Sequence, residues 1–410
     1  MKKHFCRFCN NELRNTFVDL GMSPLANSYI PLASRECGQM TYPLYVRVCD
    51  ECFLVQLEEF ESPKDIFSQY AYFSSYSSSW LKHAENYVEY VINRFNIDHQ
   101  SKVVEIACND GYLLQYFEKK NIPVLGIEPA ENVAKVAEEK NIPVIKDFFG
   151  KRLALDIVND GIKADLLLGN NVLAHVPDIN DFVEGMNILL AADGIITVEF
   201  PHILNLIEKK QFDTIYHEHF SYLSMLAVEK IFKAHSLRIF DVEELATHGG
   251  SLRIFACHTN CDKFEETLNV SALRDKETSF GLHSINTYIN FSESVKQTKM
   301  QLLSCLIELK RRKKTIVGYG AAAKGNTLLN YCGIKCDFLD YVVDKNPVKQ
   351  KTLLPGSGIP VYPPSKILET KPDYIFILPW NITDEIKKDL SYVREWGAKF
   401  ITAIPDLLID

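Results

Sequence analysis

Val103, Val104, Ile106 and Ala107 make a short apolar run in KVVEIACNDGYLLQYF (102–117). It breaks at Asn109-Asp110-Gly111 and resumes at Leu113, Leu114 and Phe117. This pattern predicts a buried strand, a turn and the start of an amphipathic helix. Similar runs follow in PVLGIEPAENVAKVA (123–137), ADLLLGNNVLAHVPDINDFV (164–183) and DGIITVEFPHI (193–203). Strands alternating with helical stretches predict a mainly parallel, doubly wound α/β sheet. The alternation recurs near the far end, in KKTIVGYGAAAKGNTLLNY (313–331), DYVVDKNPVKQ (340–350) and PDYIFILPWN (372–381), and predicts a second, smaller Rossmann-like unit. Ahead of the first sheet, Trp80, Leu81, Ala84, Tyr87, Val88, Val91 and Ile92 recur at spacings of three and four, so 80–97 reads as helix. IFSQYAYFSSYSSSW (66–80) precedes it, rich in aromatics and serine. It reads equally as a packed linker or as a lid whose phenols reach a ligand.

A chain of 410 residues has room for two or three domains. The divisions expected are a small N-terminal module over 1–65, a first α/β domain over 66–300 that begins with the aromatic segment and helix of 66–100, and a second α/β domain over 301–410. The net charge of −8 disfavours nucleic acid as a partner. No apolar run is long enough to span a bilayer, and MKKHFCRFC lacks the apolar stretch of a secretory signal. A cytoplasmic protein with no membrane partner is therefore expected. In such a chain 11 cysteines, an odd number, argue against a disulfide framework. Cys6-Arg-Phe-Cys9 and Cys49-Asp-Glu-Cys52 form two knuckles, each aiming two thiolates at one point. Four soft ligands with no fifth group suit a closed, structural, tetrahedral Zn2+ site.

The first strand is not followed by the G-x-G-x-x-G of a dinucleotide site; its turn has one glycine, Gly111. Glu128 ends the second strand, where a carboxylate accepts hydrogen bonds from ribose hydroxyls. Glu105, near the end of the first strand, favours a cationic ligand such as a sulfonium with its amino group. With Asn170 and Asn171 these point to S-adenosylmethionine (SAM) rather than NAD. Ala107, Asn109, Asp110, Gly111 and Pro129 complete the expected cofactor lining. His175 falls just past a strand's carboxyl end, where α/β sheets bind ligands. In the C-terminal turn, Gly320-x4-Gly325 departs from a Walker motif because Lys324 precedes the second glycine and Asn326 follows it. A helix N-terminus with one lysine still seats a pyrophosphate.

The cysteine pairs, EIACNDGYLL, NNVLAHVPDINDF, EFPHILNLI, IYHEHFSYLS, HGGSLR and VGYGAAAKGNTLLN occur in that order. In this order they resemble the bacterial sugar C-methyltransferases, which methylate C-3 of TDP-linked 4-keto-6-deoxyhexoses. The resemblance covers nearly the whole chain. It implies a zinc-binding module, a SAM-binding central domain and a C-terminal domain that holds the nucleotide-sugar, with Tyr319, Gly320, Lys324 and Asn326 on the substrate. It also implies that Tyr216, Glu218 and His219 line the active site, that His175 and Tyr70 approach the sugar, and that the protein is a monomer. Tyr72 and Tyr76 rival Tyr70. The base of the nucleotide is open among TDP, GDP and CDP.

Carbon methylation beside a ketone needs a base for the C-3 proton and a donor for the enolate oxygen. His219 is the candidate base, because imidazole titrates near working pH. Glu218 would orient that imidazole, or take the proton itself if burial raises its pKa. Tyr216 would donate to the enolate. His217 and His219 lie two apart rather than four, so the run is no zincin motif. Two rival functions remain: a SAM-dependent methyltransferase acting on oxygen or nitrogen, for which the Tyr/Glu/His set has no use, and a non-catalytic protein whose zinc module binds a partner.

Overall fold

The computed structural model describes residues 3–62 and 73–410. Tyr70 and Tyr72 lie outside these residues. The chain divides into two compact units, each assembled from three separate stretches.

The first unit comprises Met1–Arg14, Cys49–His202 and Phe220–His283. Its sheet holds β1 (Val103–Ile106), β2 (Val124–Ile127), β3 (Val144–Ile145), β4 (Ala164–Asn170), β5 (Leu190–Pro201), β6 (Leu237–Leu245) and β7 (Ser251–His258). The order across it is β6-β7-β5-β4-β1-β2-β3. Strands β1 to β5 pair in parallel, and β7 runs antiparallel to both its neighbours. All four residues of β1 and of β2 are buried, as central parallel strands require. The helix predicted over 80–97 runs from Ser78 to Phe95. The Ser77 hydroxyl caps it, accepting from Trp80 N at 3.2 Å, and Asn96 closes it in the left-handed region. Its inner face, Ala84, Tyr87, Val88 and Val91, is buried. One expected boundary moves: Ala107 does not finish β1 but turns to φ +56.

The second unit comprises Asn15–Val48, Ile203–His219 and Ser284–Asp410. It contains an antiparallel pair, Asn15–Ser23 with Tyr42–Val48. Phe17 from this pair stacks on Phe291 with ring centroids 4.6 Å apart. The second sheet holds β8 (Ile316–Tyr319), β9 (Val342–Val343), β10 (Val361–Tyr362), β11 (Tyr374–Ile377), β12 (Lys399–Thr402) and β13 (Leu408–Ile409). The order is β10-β9-β8-β11-β12-β13, parallel except for the last pair. Chain order reverses between β8 and β11, which opens a ligand crevice at the carboxyl ends of these strands. The expected α/β class therefore holds in both sheets. Gly320 sits in the turn after β8 at φ +90, and a Cβ there would lie 2.5 Å from Pro379 Cδ. Only glycine fits that turn.

Candidate functional site

The two cysteine knuckles belong to the first unit. In each, the residue four after the first cysteine adopts a positive φ: Asn10 at +59° and Phe53 at +62°. Each returns its N–H to that cysteine's carbonyl, Asn10 to Cys6 at 3.0 Å and Phe53 to Cys49 at 3.1 Å. The repeated turn brings all four thiols together. Cys6 Sγ lies 3.5 Å from Cys52 Sγ, Cys9 Sγ lies 3.5 Å from Cys49 Sγ, and all four atoms lie within 4.8 Å of one another. Sulfurs bound tetrahedrally at ~2.3 Å sit about 3.8 Å apart, so the donor set fits zinc. Gln56 Nε2 donates to Cys6 Sγ at 3.2 Å, the kind of support that orients a metal's thiolates. Arg7, inside the first knuckle, donates to Pro177 O at 2.8 Å, and Asn180 Nδ2 returns to Phe8 O at 3.0 Å.

The carboxyl ends of β1, β2 and β4 gather the expected cofactor residues. Glu105 faces Gly126 on one side and Leu168 on the other and is 1 % exposed. Burial pushes its pKa well up, with help from the nearby Asp110 and Glu128 carboxylates. A carboxyl so placed is costly unless a cation joins it. Glu128 Oε2 accepts Asn109 N at 3.0 Å and Oε1 accepts Ala130 N at 2.9 Å, which fixes the turn after β1 to the end of β2. Its pKa is raised by burial, partly offset by those two N–H groups. Gly111 holds φ +71, and a Cβ on it would come within 2.4 Å of Ile142 Cδ1. The expected single glycine is thus a close-packing requirement. Asn170 Oδ1 and Asn171 Oδ1 are buried without hydrogen-bond partners among the described residues. The donor-poor carboxyl, the two amide oxygens and the glycine turn fit SAM. The described part of the aromatic segment lies on this turn: Ser74 N donates to Asn109 Oδ1 and Ser75 N to Asp110 Oδ2, both at 3.0 Å. His175 ends a short 3-10 turn, Leu173–His175, beyond Asn170-Asn171. A network that sequence reading did not find lies in the same unit. Glu199 on β5 accepts from Arg253 at 3.0 Å and Thr247 at 3.1 Å and pairs with His83 at 3.0 Å.

Tyr216, Glu218 and His219 belong to the second unit. His219 Nδ1 lies 2.9 Å from Thr214 O. A carbonyl only accepts, so Nδ1 carries the proton and Nε2 of the neutral ring keeps its lone pair. The Tyr216 ring lies against the imidazole with centroids 4.1 Å apart. Glu218 is 5 % exposed, and Asn27 Nδ2 donates to its Oε1 at 2.6 Å. Burial pushes the Glu218 carboxyl up to about 7 despite the Asn27 amide and the Lys349 ammonium. His217 donates from Nε2 to Pro43 O at 3.3 Å, and burial lowers its pKa to about 4. Asp213, five residues before Glu218, is fully buried and pushed up to about 7; Trp380 Nε1 donates to it at 2.7 Å.

Around the turn after β8, Lys324 Nζ donates to Asn381 Oδ1 at 2.7 Å and lies 4.6 Å from the centroid of the Trp380 ring. Asn326 is 1 % exposed and donates to Ala26 O at 2.7 Å. Tyr319 and Gly320 line a cleft of about 220 Å³ at the crevice, together with Asp344, Lys345, Pro379 and Asp389. Asp344 follows β9 and accepts Ala321 N and Asn346 N, each at 2.7 Å. Asn27, Lys349 and Asp344 were not singled out from sequence. Only Asp344 had a local signal, an acidic residue after a predicted strand.

Residues 6–67 match the family model of a zinc binding domain, 80–242 that of a methyltransferase domain and 246–405 that of a C-methyltransferase C-terminal domain. The C-methyltransferase NovU from Streptomyces niveus is 33% identical over 401 residues, which is 98% of this chain and 95% of NovU. A ubiquinone biosynthesis O-methyltransferase from Bartonella tribocorum is 28% identical over 101 residues, 24% of this chain and 40% of that protein. Among solved structures, magnesium protoporphyrin IX methyltransferase from Synechocystis PCC 6803 with bound SAM has a TM-score of 0.34 at 15% identity, over 43% of this chain and 79% of that one. The matched domains, the cysteine cluster and the sheet with its acidic strand ends define a SAM-dependent methyltransferase with a zinc-binding module. The chain belongs to the C-methyltransferase family that includes NovU. Among the described residues, no helix is long and apolar enough to cross a membrane.

Proposed function

We propose that the enzyme methylates C-3 of a nucleotide-linked 4-keto-6-deoxy sugar through an enolate. The observation that carries this reading is the His219 tautomer: Nδ1–H is spent on Thr214 O, which leaves Nε2 as a base. His219 Nε2 takes the C-3 proton, and the Thr214 carbonyl holds the imidazolium that forms. Glu218, ionised, stabilises that positive charge. Tyr216, lying against the imidazole, donates its hydroxyl to the enolate oxygen. His175 approaches the sugar, and so does Tyr70, whose position lies outside the described residues. SAM, when bound, supplies an electrophilic methyl group. Glu105 would hold its amino and sulfonium charge and Glu128 its ribose, and the turn from Ala107 through Asn109 and Asp110 to Gly111, with Pro129, Asn170 and Asn171, would shape its seat.

The nucleotide of the substrate occupies the cleft at the second crevice. Tyr319 and Gly320 line it, and Asp344 is placed to accept from a ribose hydroxyl. Lys324 supplies positive charge near the helix start. Asn326, whose amide donates one N–H to Ala26 O, contributes to the same seat. The protein acts as a monomer on a TDP-linked substrate, and its sequence modules, as distinct from the two compact units, divide near 65 and 300.

Incubation with SAM and a TDP-4-keto-6-deoxyhexose in deuterated water, followed by mass and proton NMR, tests the proposal. A new methyl on carbon, with loss of the C-3 proton, is expected. Methyl transfer to oxygen or nitrogen, with the C-3 proton retained, would overturn it.

A further inference from the structure

LANSYI, residues 25–30, reads in sequence as part of the module between the cysteine pairs. In the second unit it does something else. Its backbone is clamped by the helix that follows the turn after β8, Ala323–Cys332, from which Asn326 Nδ2 donates to Ala26 O at 2.7 Å. Two side chains converge on one carbonyl of that turn: Tyr29 Oη and Lys349 Nζ donate to Ala321 O at 2.5 and 2.7 Å. The Lys349 ammonium also lies 5.4 Å from the centroid of the Tyr29 ring. Ser28 folds back on Leu25 O through both its N–H, at 3.2 Å, and its hydroxyl, at 2.7 Å. Between these fixed points stands Asn27, whose amide donates to Glu218 Oε1 at 2.6 Å.

We propose that Asn27 is a positioning residue for the reaction, fixing Glu218 through one carboxylate oxygen so that the other serves the reacting groups. This rests on the reading of Glu218 given above. The geometry supplies the reason. A buried carboxylate is costly without a donor, and an amide N–H donates without bringing a proton that can be lost. A lysine in the same place would form a full ion pair and hold the carboxylate far below working pH. An amide leaves it titratable. Among the described residues, the charged and titratable groups that act on Glu218 are the Lys349 ammonium, which favours the ionised form, and the Tyr29 phenol, and Asp344 acts on both of those in turn; in the proposed reaction the His219 imidazolium joins them. Lys349 is itself penalised by burial, and that limits how far it can stabilise a neighbour's charge. The Asn27 hydrogen bond is the larger of the two effects that offset burial at Glu218.

The experiment measures deuterium entry at C-3 of a TDP-4-keto-6-deoxyhexose as a function of pH, with no methyl donor present. It compares the full chain with Asn27→Ala, Asn27→Gln and Glu218→Gln. Removing the donor raises the Glu218 pKa, so the ionised form appears later as pH rises. The acid limb of Asn27→Ala should move up by roughly one pH unit, a tenfold loss of exchange below the limb and none well above it. Asn27→Gln, which keeps the amide, should recover most of the limb position. If Asn27→Ala lowers exchange equally at all pH values, Asn27 only supports the fold and the proposal is overturned. Should Asn27→Ala fail to fold, a Gln variant with its limb moved as far as one pH unit would overturn it as well. Glu218→Gln separates the two readings. If it exchanges with a wild-type profile, the role of Glu218 fails; if it is slow while Asn27→Ala keeps a wild-type limb, only the proposal for Asn27 fails.

Discussion

The indole N–H of Trp380 donates to Asp213 at 2.7 Å, and this aspartate is fully buried with its pKa pushed up to about 7. The folded protein therefore keeps a proton on Asp213 that the unfolded chain has released. Its contribution to stability is present below the ordinary aspartate pKa and is lost as pH rises towards 7. Asp213→Asn removes this dependence. The melting temperature of the variant relative to the parent should rise between pH 5 and pH 7.5, by an amount worth on the order of 2 kcal/mol. A difference that stays constant across that range would show that the carboxyl is ionised throughout. Trp380→Phe leaves the buried group without its indole donor and should cost about 1–3 kcal/mol of unfolding free energy in urea.

His219→Ala removes the proposed base and leaves every cofactor residue of the first unit unsubstituted. Single-turnover methyl transfer and C-3 exchange should both fall by about 10²–10⁴-fold. SAM affinity measured by calorimetry should be unchanged. A variant that exchanges the C-3 proton at the parental rate would move the base elsewhere.

Glu105→Gln should act in opposite directions on two measurements. Without SAM, replacing a buried carboxyl by a neutral amide relieves a desolvation cost, so the melting temperature should rise. With SAM, the loss of a charge-assisted contact should weaken binding by about 1.5–3 kcal/mol, roughly 10–150-fold in Kd. Parallel falls in stability and affinity would mark Glu105 as a packing residue.

Cys49→Ser tests the metal site. The purified parent should carry one zinc per chain, and the variant close to none, measured by plasma mass spectrometry. Cys49 is fully buried among residues of the first unit's core, so the melting temperature should fall with the metal. Full zinc occupancy in the variant would remove Cys49 from the ligand set.

What the sequence made legible was local. A cysteine knuckle, or a strand followed by its turn and helix, is written within about fifteen residues, and its chemistry follows from spacing. Cys6, Cys9, Cys49 and Cys52 come together as their spacing implied, and the Glu128 carboxylate stands at the end of β2 as expected. Ala107 shows the limit of that approach: its apolar side chain continues the strand pattern, but its backbone has already turned to positive φ. The support of the YHEH run was hidden for a different reason. The expected partner of the imidazole was Glu218, the nearest carboxylate in sequence. The Nδ1 hydrogen bond goes instead to a main-chain carbonyl, Thr214 O, which no side-chain pattern encodes. The contact of Asn27 with Glu218 joins positions 191 apart, and nothing in LANSYI marks an asparagine for that task.

The stacking of Phe17 on Phe291 carries a cost in time. The two rings belong to one unit but leave the ribosome roughly 270 residues apart. At about 5–20 residues per second, the aromatic face of the first hairpin waits some 15–50 s for its partner. During that interval the nascent chain exposes the apolar face of that strand pair, because Ile203–His219 is all of its own unit that follows it before Ser284. Slow synthesis at low temperature would lengthen the wait, and the yield of native enzyme should then depend on whatever shields that strand pair until the helix that begins at Phe291 arrives.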